Sequence, residues 1–246
     1  MQAHLGRVRL VLLAILGLQL AVWSASKEFY PRWEAVPPVP SRNGAVLMAL
    51  GDPEFAYRFL ALTLQDLGDV GIDITPLKNY NYTELGKWFS LLNSLDSLSD
   101  HVPMVAAYYF GGTKVPKDAA VVANYLSAVG QVPIGEKWRW LAHAAFLAQH
   151  RTYNLDLALK WAYTLQRMYQ SGVDMPQWAR QMPAFVLSER GDKDAARQMM
   201  KNMLVTEKTM DPAEINFMAS YLTDELGVAP EEVKSLLRLR GGASSP

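Results

Sequence analysis

Helical periodicity dominates the pattern of apolar and polar residues from residue 43 onward. Apolar side chains return every three or four positions, as they do along one face of an α-helix. Two of these stripes are Ala56, Leu60, Leu64 and Leu67, and Leu85, Trp88, Leu92 and Leu95. Only residues 70–74 look extended, and they are too few to build a sheet. The pattern therefore predicts an all-α domain over residues 43–240, followed by a flexible tail at 241–246.

Capping residues mark where several of these helices are expected to begin. Asp52 and Asp211 each precede a proline, which suits the first position of a helix because it has no amide hydrogen to leave unpaired. Asn81 and Glu84 have the spacing of a capping box. Further along, the stripes predict helices at 117–129, 136–150 and 155–169, with Gly191 as a turn between two later ones.

The first 26 residues carry a different pattern, an apolar run that follows two arginines. The run 10–23 reads LVLLAILGLQLAVW, Arg7 and Arg9 precede it, and residues 1–26 include no acidic residue. Such a run needs an apolar environment, and the positive-inside rule puts the rest of the chain across the membrane. We expect a signal-anchor or transmembrane segment at 1–26, in a bacterial inner membrane, with the following domain periplasmic.

Two alternatives for this segment stay open. Ser24 and Ser26 are small residues of the kind that precede a cleavage site, which would make the segment a signal peptide that is removed. The bulky Trp23 and the polar Gln19 fit a cleavage region poorly and favour an uncleaved anchor. A buried helix of a soluble protein is the other alternative, but it leaves the basic flank unexplained.

A proline-rich linker is predicted between this segment and the domain, at residues 27–42. Its four prolines fix φ and lack an amide hydrogen, which favours an extended chain close to polyproline II. We expect a stiff spacer between membrane and domain. The alternative is a recognition peptide for an aromatic groove on another protein.

Composition and motifs argue against several kinds of chemistry. The 24 basic residues balance 24 acidic ones, unlike the basic excess of a nucleic-acid binder, and the chain has no cysteine for disulfides, thiolate metal sites or nucleophiles. His143 and His150 lie about 10 Å apart along a helix, too far to share one metal ion. No nucleophile elbow or glycine-rich phosphate loop occurs. We expect no catalytic residue, no metal site and no cofactor.

Helix pairs of similar design recur in the middle of the chain. Residues 154–158 and 192–195 each start a second helix on a small residue, and 37 positions separate Ala158 from Ala195. This spacing is close to the repeat of about 34 residues in tetratricopeptide proteins. Residues 135–204 therefore resemble the tetratricopeptide-like superfamily with degenerate repeats, although Phe146 and Pro183 stand where that family usually has a small residue.

The resemblance implies stacked antiparallel hairpins, an α-solenoid, whose concave surface binds a peptide or a partner protein. It also implies which side chains line that surface: Trp140, His143, Leu147, His150, Gln177 and Arg180. An aromatic ring, two imidazoles and a guanidinium are suited to hold an extended peptide or its terminal carboxylate. The alternative is that Trp140 packs against a neighbouring helix and that Arg180 is merely solvated.

The sequence as a whole predicts a membrane-anchored, extracytoplasmic helical scaffold that binds a protein or peptide partner within an envelope assembly. A cell-envelope enzyme with a solenoid fold, for instance one acting on peptidoglycan, is the second hypothesis, although no segment is left over for a catalytic domain. The third is a structural subunit of an oligomeric membrane complex, whose repeats are buried between subunits.

Overall fold

The computed structural model describes residues 2–26, 36–70, 73–207 and 210–242. Within these ranges the protein is all-α, as its sequence predicts, apart from one short β-hairpin. Most of the predicted linker, residues 27–35, and most of the predicted tail, residues 243–246, lie outside the described residues.

Twelve α-helices make up nearly all of the regular structure in the described ranges. They are α1 (Gln2–Ser26), α2 (Arg42–Met48), α3 (Pro53–Gln65), α4 (Tyr82–Leu95), α5 (His101–Tyr108), α6 (Pro116–Gly130), α7 (Trp138–His150), α8 (Leu155–Gln170), α9 (Trp178–Arg190), α10 (Lys193–Thr206), α11 (Pro212–Asp224) and α12 (Pro230–Gly242). Strands β1 (Asp69–Val70) and β2 (Asp73–Ile74) pair in antiparallel fashion, at the stretch that looks extended in the sequence. Short 3₁₀ turns occupy Leu77–Asn79 and Phe110–Gly112.

The helix starts lie where the capping residues predict them. The Asp52 carboxylate accepts hydrogen bonds from the amides of Glu54 and Phe55 at the start of α3. Asn81 and Asp211 cap α4 and α11 in the same way. Each of these side chains satisfies backbone donors that the first helical turn leaves without a partner.

Consecutive helices from α6 to α10 pack against each other in chain order. The closest approach joins the end of α6 to α7, where a Cβ atom on Gly130 would lie 2.1 Å from the backbone nitrogen of Leu141. On α7, Ala144, Ala145 and Ala148 are completely buried. Because these residues are small, the backbones of neighbouring helices can approach closely and form a densely packed core.

The two alanines used to align the repeats have different environments. Ala158 is completely buried near the start of α8, as a packed small residue should be. Ala195 is exposed on α10, and its neighbour Ala196 is the buried residue. The packed small residue near the start of α10 is therefore Ala196 and not Ala195.

The last residues of the predicted linker contact the helical domain. Val36 is buried, and the indole nitrogen of Trp88 on α4 donates a hydrogen bond of 2.8 Å to the carbonyl oxygen of Pro37. The part of the chain that can act as a spacer therefore ends before Val36.

Helix α1 presents its apolar side chains outward. From Val11 to Trp23 all the large apolar residues are exposed, and Leu18 is exposed to 67%. In the ranges that the structure describes, none of the helices combines the length and the apolar character that crossing a membrane requires.

Candidate partner-binding site

The four predicted contact residues on α7 divide between the core and the surface. Trp140 and Leu147 are buried, His143 is half-buried and His150 is exposed. Helix α7 thus turns only the two imidazoles of this set toward solvent. Leu147 lies against the backbone at Gly111, which is part of the turn that follows α5.

Trp140 takes part in a polar cluster that joins the start of α7 to the start of α5. The Asp100 carboxylate accepts a hydrogen bond of 2.6 Å from the indole nitrogen of Trp140 and another of 2.6 Å from Arg139. The Lys137 ammonium lies 3.1 Å from the same carboxylate and donates to the carbonyl oxygen of Ser99. Because Lys137 is only 4% exposed, Asp100 neutralises an otherwise isolated buried charge.

The protonation of Asp100 reflects these contacts. Burial by itself would raise the pKa of this carboxyl group, but hydrogen bonds from Trp140, Lys137 and Arg139 outweigh it and leave the pKa below its ordinary value. Asp100 is therefore ionised at neutral pH and holds α5 and α7 together through charge-assisted bonds.

The two predicted contact residues on α9 also face the interior to a large degree. Arg180 is buried, forms an ion pair with Glu207 and lies over the ring of Tyr169, with 5.3 Å between guanidinium carbon and ring centroid. Gln177 is half-buried. The guanidinium that the sequence suggested for a partner's carboxylate already binds a carboxylate of its own chain.

A row of four rings, three of them exposed and His143 half-buried, runs along α7 and continues onto α5. Tyr108 stands 5.2 Å from His143, His143 stands 5.8 Å from Phe146, and Phe146 stands 4.6 Å from His150, all measured between ring centroids. Tyr108 is 70% and Phe146 is 46% exposed. We call these four residues the α7 ring row. It includes two of the six predicted contacts and adds Tyr108 and Phe146.

The sequence contains a signal for Phe146 that the repeat alignment hides. Positions 139, 143, 146 and 150 follow the helical spacing of four, three and four residues, so their side chains share one face of α7. The bulk of Phe146 departs from the tetratricopeptide pattern, and its ring, 46% exposed, lies between those of His143 and His150. Tyr108 has no such signal, because its place beside α7 depends on how α5 and α7 pack.

His143 is the half-buried member of the row. Burial lowers the pKa of its imidazole, although hydrogen bonding with the backbone of Ala107 on α5 opposes the shift. The ring is therefore neutral at pH 7. A neutral imidazole has one unprotonated nitrogen that can accept a hydrogen bond from a partner.

Basic residues dominate the chain segments that carry the ring row. Residues 101–117 and 137–155 contain no aspartate or glutamate, although the protein as a whole is neutral. Lys114 is exposed and Arg151 is half-buried, whereas the half-buried Arg139 already pairs with Asp100 and Glu136. The charges of Lys114 and Arg151 would favour a partner with acidic residues.

A second group of rings joins α9 to α11. Phe185 contacts Phe217 at 6.0 Å and Tyr221 at 5.0 Å between ring centroids. At the start of α9, Trp178 is exposed and contacts Trp138 of α7 at 5.7 Å. Trp178 follows Gln177 directly and is not among the six predicted contact residues.

No metal centre accompanies these rings in the described part of the chain, where no group of three or more histidine, aspartate or glutamate side chains could hold an ion. Comparison with protein-family models, with curated proteins and with solved structures finds no match to the chain. The geometry of its own surfaces is therefore what indicates a function.

Proposed function

We propose that the protein is a membrane-anchored, extracytoplasmic helical scaffold that binds a protein or peptide partner through the α7 ring row. The observation that carries this proposal is the continuous series of rings from Tyr108 to His150, of which Tyr108, Phe146 and His150 are exposed and His143 is half-buried. The six residues expected from the repeat alignment contribute His143 and His150 directly. Trp140 and Arg180 act beneath the surface, where they position the helices.

Exposed aromatic side chains support protein binding for an energetic reason. Aromatic rings are enriched among the residues that contribute most to interface stability, because they bury a large area at a small cost in side-chain entropy. Tyr108 and Phe146 present such rings on helices that the Asp100 cluster holds in place. A rigid surface loses little freedom when a partner binds.

The repeat architecture is part of the same proposal. Successive packing from α6 to α10 and the buried Ala158 support stacked hairpins of the tetratricopeptide-like kind. In such a stack each hairpin buries its apolar side on the next one, which leaves the first helix of each pair free to contact a partner. Helices α7 and α9 would then both face the partner.

The N-terminal helix supports the proposed location. Arg7 and Arg9 precede its apolar run, and the exposed leucines of α1 require an apolar environment. Anchor and cleaved signal peptide make different predictions for the mature protein. Sequencing its N-terminal peptide decides between them, because cleavage after Ser26 leaves a chain that begins at Lys27.

Site-specific photocrosslinking tests the partner-binding face. A benzophenone amino acid at position 146, in the full chain within its native membranes, should yield one crosslinked product of discrete size. The same amino acid at Leu239, an exposed residue of α12, is the matched control and should yield none. The proposal fails if position 146 gives no product of its own or gives the same products as position 239.

Substitutions at the surface complete this test. Tyr108→Ser combined with Phe146→Ser should abolish capture of the crosslinked partner and leave the helicity measured by circular dichroism unchanged. Tyr108 is 70% and Phe146 is 46% exposed, and neither belongs to the hydrophobic core, so their loss leaves the packing of the core unchanged. Capture that persists in the double variant would contradict the proposed site.

A further inference from the structure

A second exposed surface lies at the start of the helical domain, and it is entirely apolar. Phe55, Phe59 and Leu62 follow one another along a single face of α3, and each is more than half exposed. Leu47 and Leu50 stand at the turn between α2 and α3, where Leu50 is 94% exposed. We call these five residues, together with Met48, the α2–α3 tip.

A shallow groove between the two helices belongs to this tip. It encloses about 200 Å³ and is lined by Ala45, Met48, Ala49, Phe55, Ala56, Phe59 and Leu60, none of which is ionisable. Residues 43–51 contain no charged side chain. The ion pair of Glu54 with Arg58 on α3 lines a neighbouring depression, which Leu62 of the tip also borders. Covering the groove and the turn between α2 and α3 therefore desolvates no charge, and the ion pair lies at the edge of the tip beside Leu62.

The backbone amides of the turn at the tip are paired within the chain. The amide of Leu50 donates to the Leu47 carbonyl, that of Gly51 donates to Val46, and that of Asp52 donates to Ala49. A turn that enters a lipid environment must pair its amide hydrogens internally, because lipid offers no acceptors. The tip meets this requirement although its side chains point outward.

The position of the tip in the chain connects it to the proposed membrane helix. Fifteen residues separate Ser26 at the end of α1 from Arg42 at the start of α2. A chain of this length spans at most about 55 Å. Because Val36 and Pro37 are already fixed against the domain, the usable tether is shorter still.

We infer that the α2–α3 tip inserts into the interface of the lipid bilayer that holds α1. This inference rests on the membrane attachment proposed above and adds a second contact, which would fix how the domain lies on the membrane. Apolar helices and turns of this kind enter the bilayer by about 5–10 Å, to the boundary between headgroups and acyl chains. Leu47, Met48 and Leu50 would enter first.

Because the sequence contains no cysteine, one introduced thiol can be labelled without any further substitution. Leu50→Cys in the full chain gives one thiol for an environment-sensitive fluorophore, and Leu239→Cys on α12 is the matched control. Both variants are reconstituted into phosphatidylcholine vesicles with and without a lipid that carries a spin-label quencher on its acyl chain. We expect the emission at position 50 to shift to shorter wavelength and to be lost with the quencher, while position 239 keeps its aqueous emission.

The other outcomes separate this inference from the proposed function. If the protein floats with the vesicles but position 50 has the emission of position 239, the tip does not touch lipid and the inference is wrong. A shift that grows with protein concentration and resists the lipid quencher would mean that a second copy covers the tip, which also overturns it. If the full chain does not float with vesicles, the membrane attachment itself fails.

Discussion

The α7 ring row and the α2–α3 tip both expose large apolar side chains, but their surroundings differ. The ring row has the Asp100 carboxylate and the buried Lys137 beneath it, and the chain segments that carry the row contain basic residues. The tip has no ionisable residue in its groove. Exposed rings with polar and charged neighbours suit a protein partner, whose surface is hydrated. An exposed apolar surface without charged residues in its groove suits lipid. The surroundings of an exposed apolar residue thus indicate its partner better than its exposure does.

The largest expected effect concerns the helix contact that supports the ring row. Gly130→Ala would place a methyl group against the backbone of Leu141, which cannot move without displacing α7. We expect a loss of about 3 kcal/mol in the free energy of unfolding, measured by urea denaturation. Gly112→Ala is the control, because a Cβ atom there would lie 3.4 Å from Cδ1 of Leu77, an ordinary van der Waals contact. Equal losses in the two variants would show that α6 and α7 are not tightly joined.

The second largest effect is expected from removal of the Asp100 carboxylate. Asp100→Ala leaves the buried Lys137 ammonium without its ion pair and the Trp140 indole without its acceptor. We expect a loss of about 2–3 kcal/mol in unfolding free energy, compared with little change for the exposed Asp174→Ala. A loss no greater than that of Asp174→Ala would mean that the ring row does not depend on this cluster.

The same carboxylate predicts a pH dependence. Because folding lowers the pKa of Asp100, its stabilising contribution is complete above the ordinary pKa of 3.8 and disappears as the pH falls through the lower value of the folded state. The stability difference between wild type and Asp100→Asn should be constant near neutral pH and shrink below pH 3.8. Thermal unfolding of both proteins from neutral to strongly acidic pH measures this difference. A constant difference throughout would contradict the role assigned to the ionised form.

The smallest effect is expected at the tip. Leu50 has a φ of +57°, a left-handed conformation that disfavours leucine and suits asparagine. Leu50→Asn should stabilise the protein in solution by about 0.5 kcal/mol, whereas Leu98→Asn, at an exposed residue without positive φ, should change little. Such a gain would sharpen the comparison, since it would show that leucine at the tip lowers stability in water. A loss of stability would indicate that Leu50 packs within the folded protein.

Much of the fold was predictable because its determinants are local. The caps at Asp52, Asn81 and Asp211 and the 3.6-residue periodicity act within one or two helical turns, so they are visible in the sequence. The repeat alignment was less reliable. Ala195 and Ala196 differ by one position, and only the packing of α10 decides which of them is buried.

The candidate site was predictable only in part, for the same reason. The spacing from Arg139 to His150 puts four side chains on one face of α7, but it does not say whether that face is exposed. Tyr108 joins the ring row from α5, a separate helix, and Arg180 turns inward to Glu207. Such contacts join residues distant in sequence, and no local pattern encodes them.

The sequence alone determined the all-α class, the capped helix starts after Asp52, Asn81 and Asp211, and the uncharged character of residues 43–51, since these follow from residue type and short-range spacing. Tertiary structure decided which apolar faces are covered, because a helix buries the face that a neighbouring helix reaches. That choice places Trp140 and Leu147 in the core and leaves Phe146 at the surface.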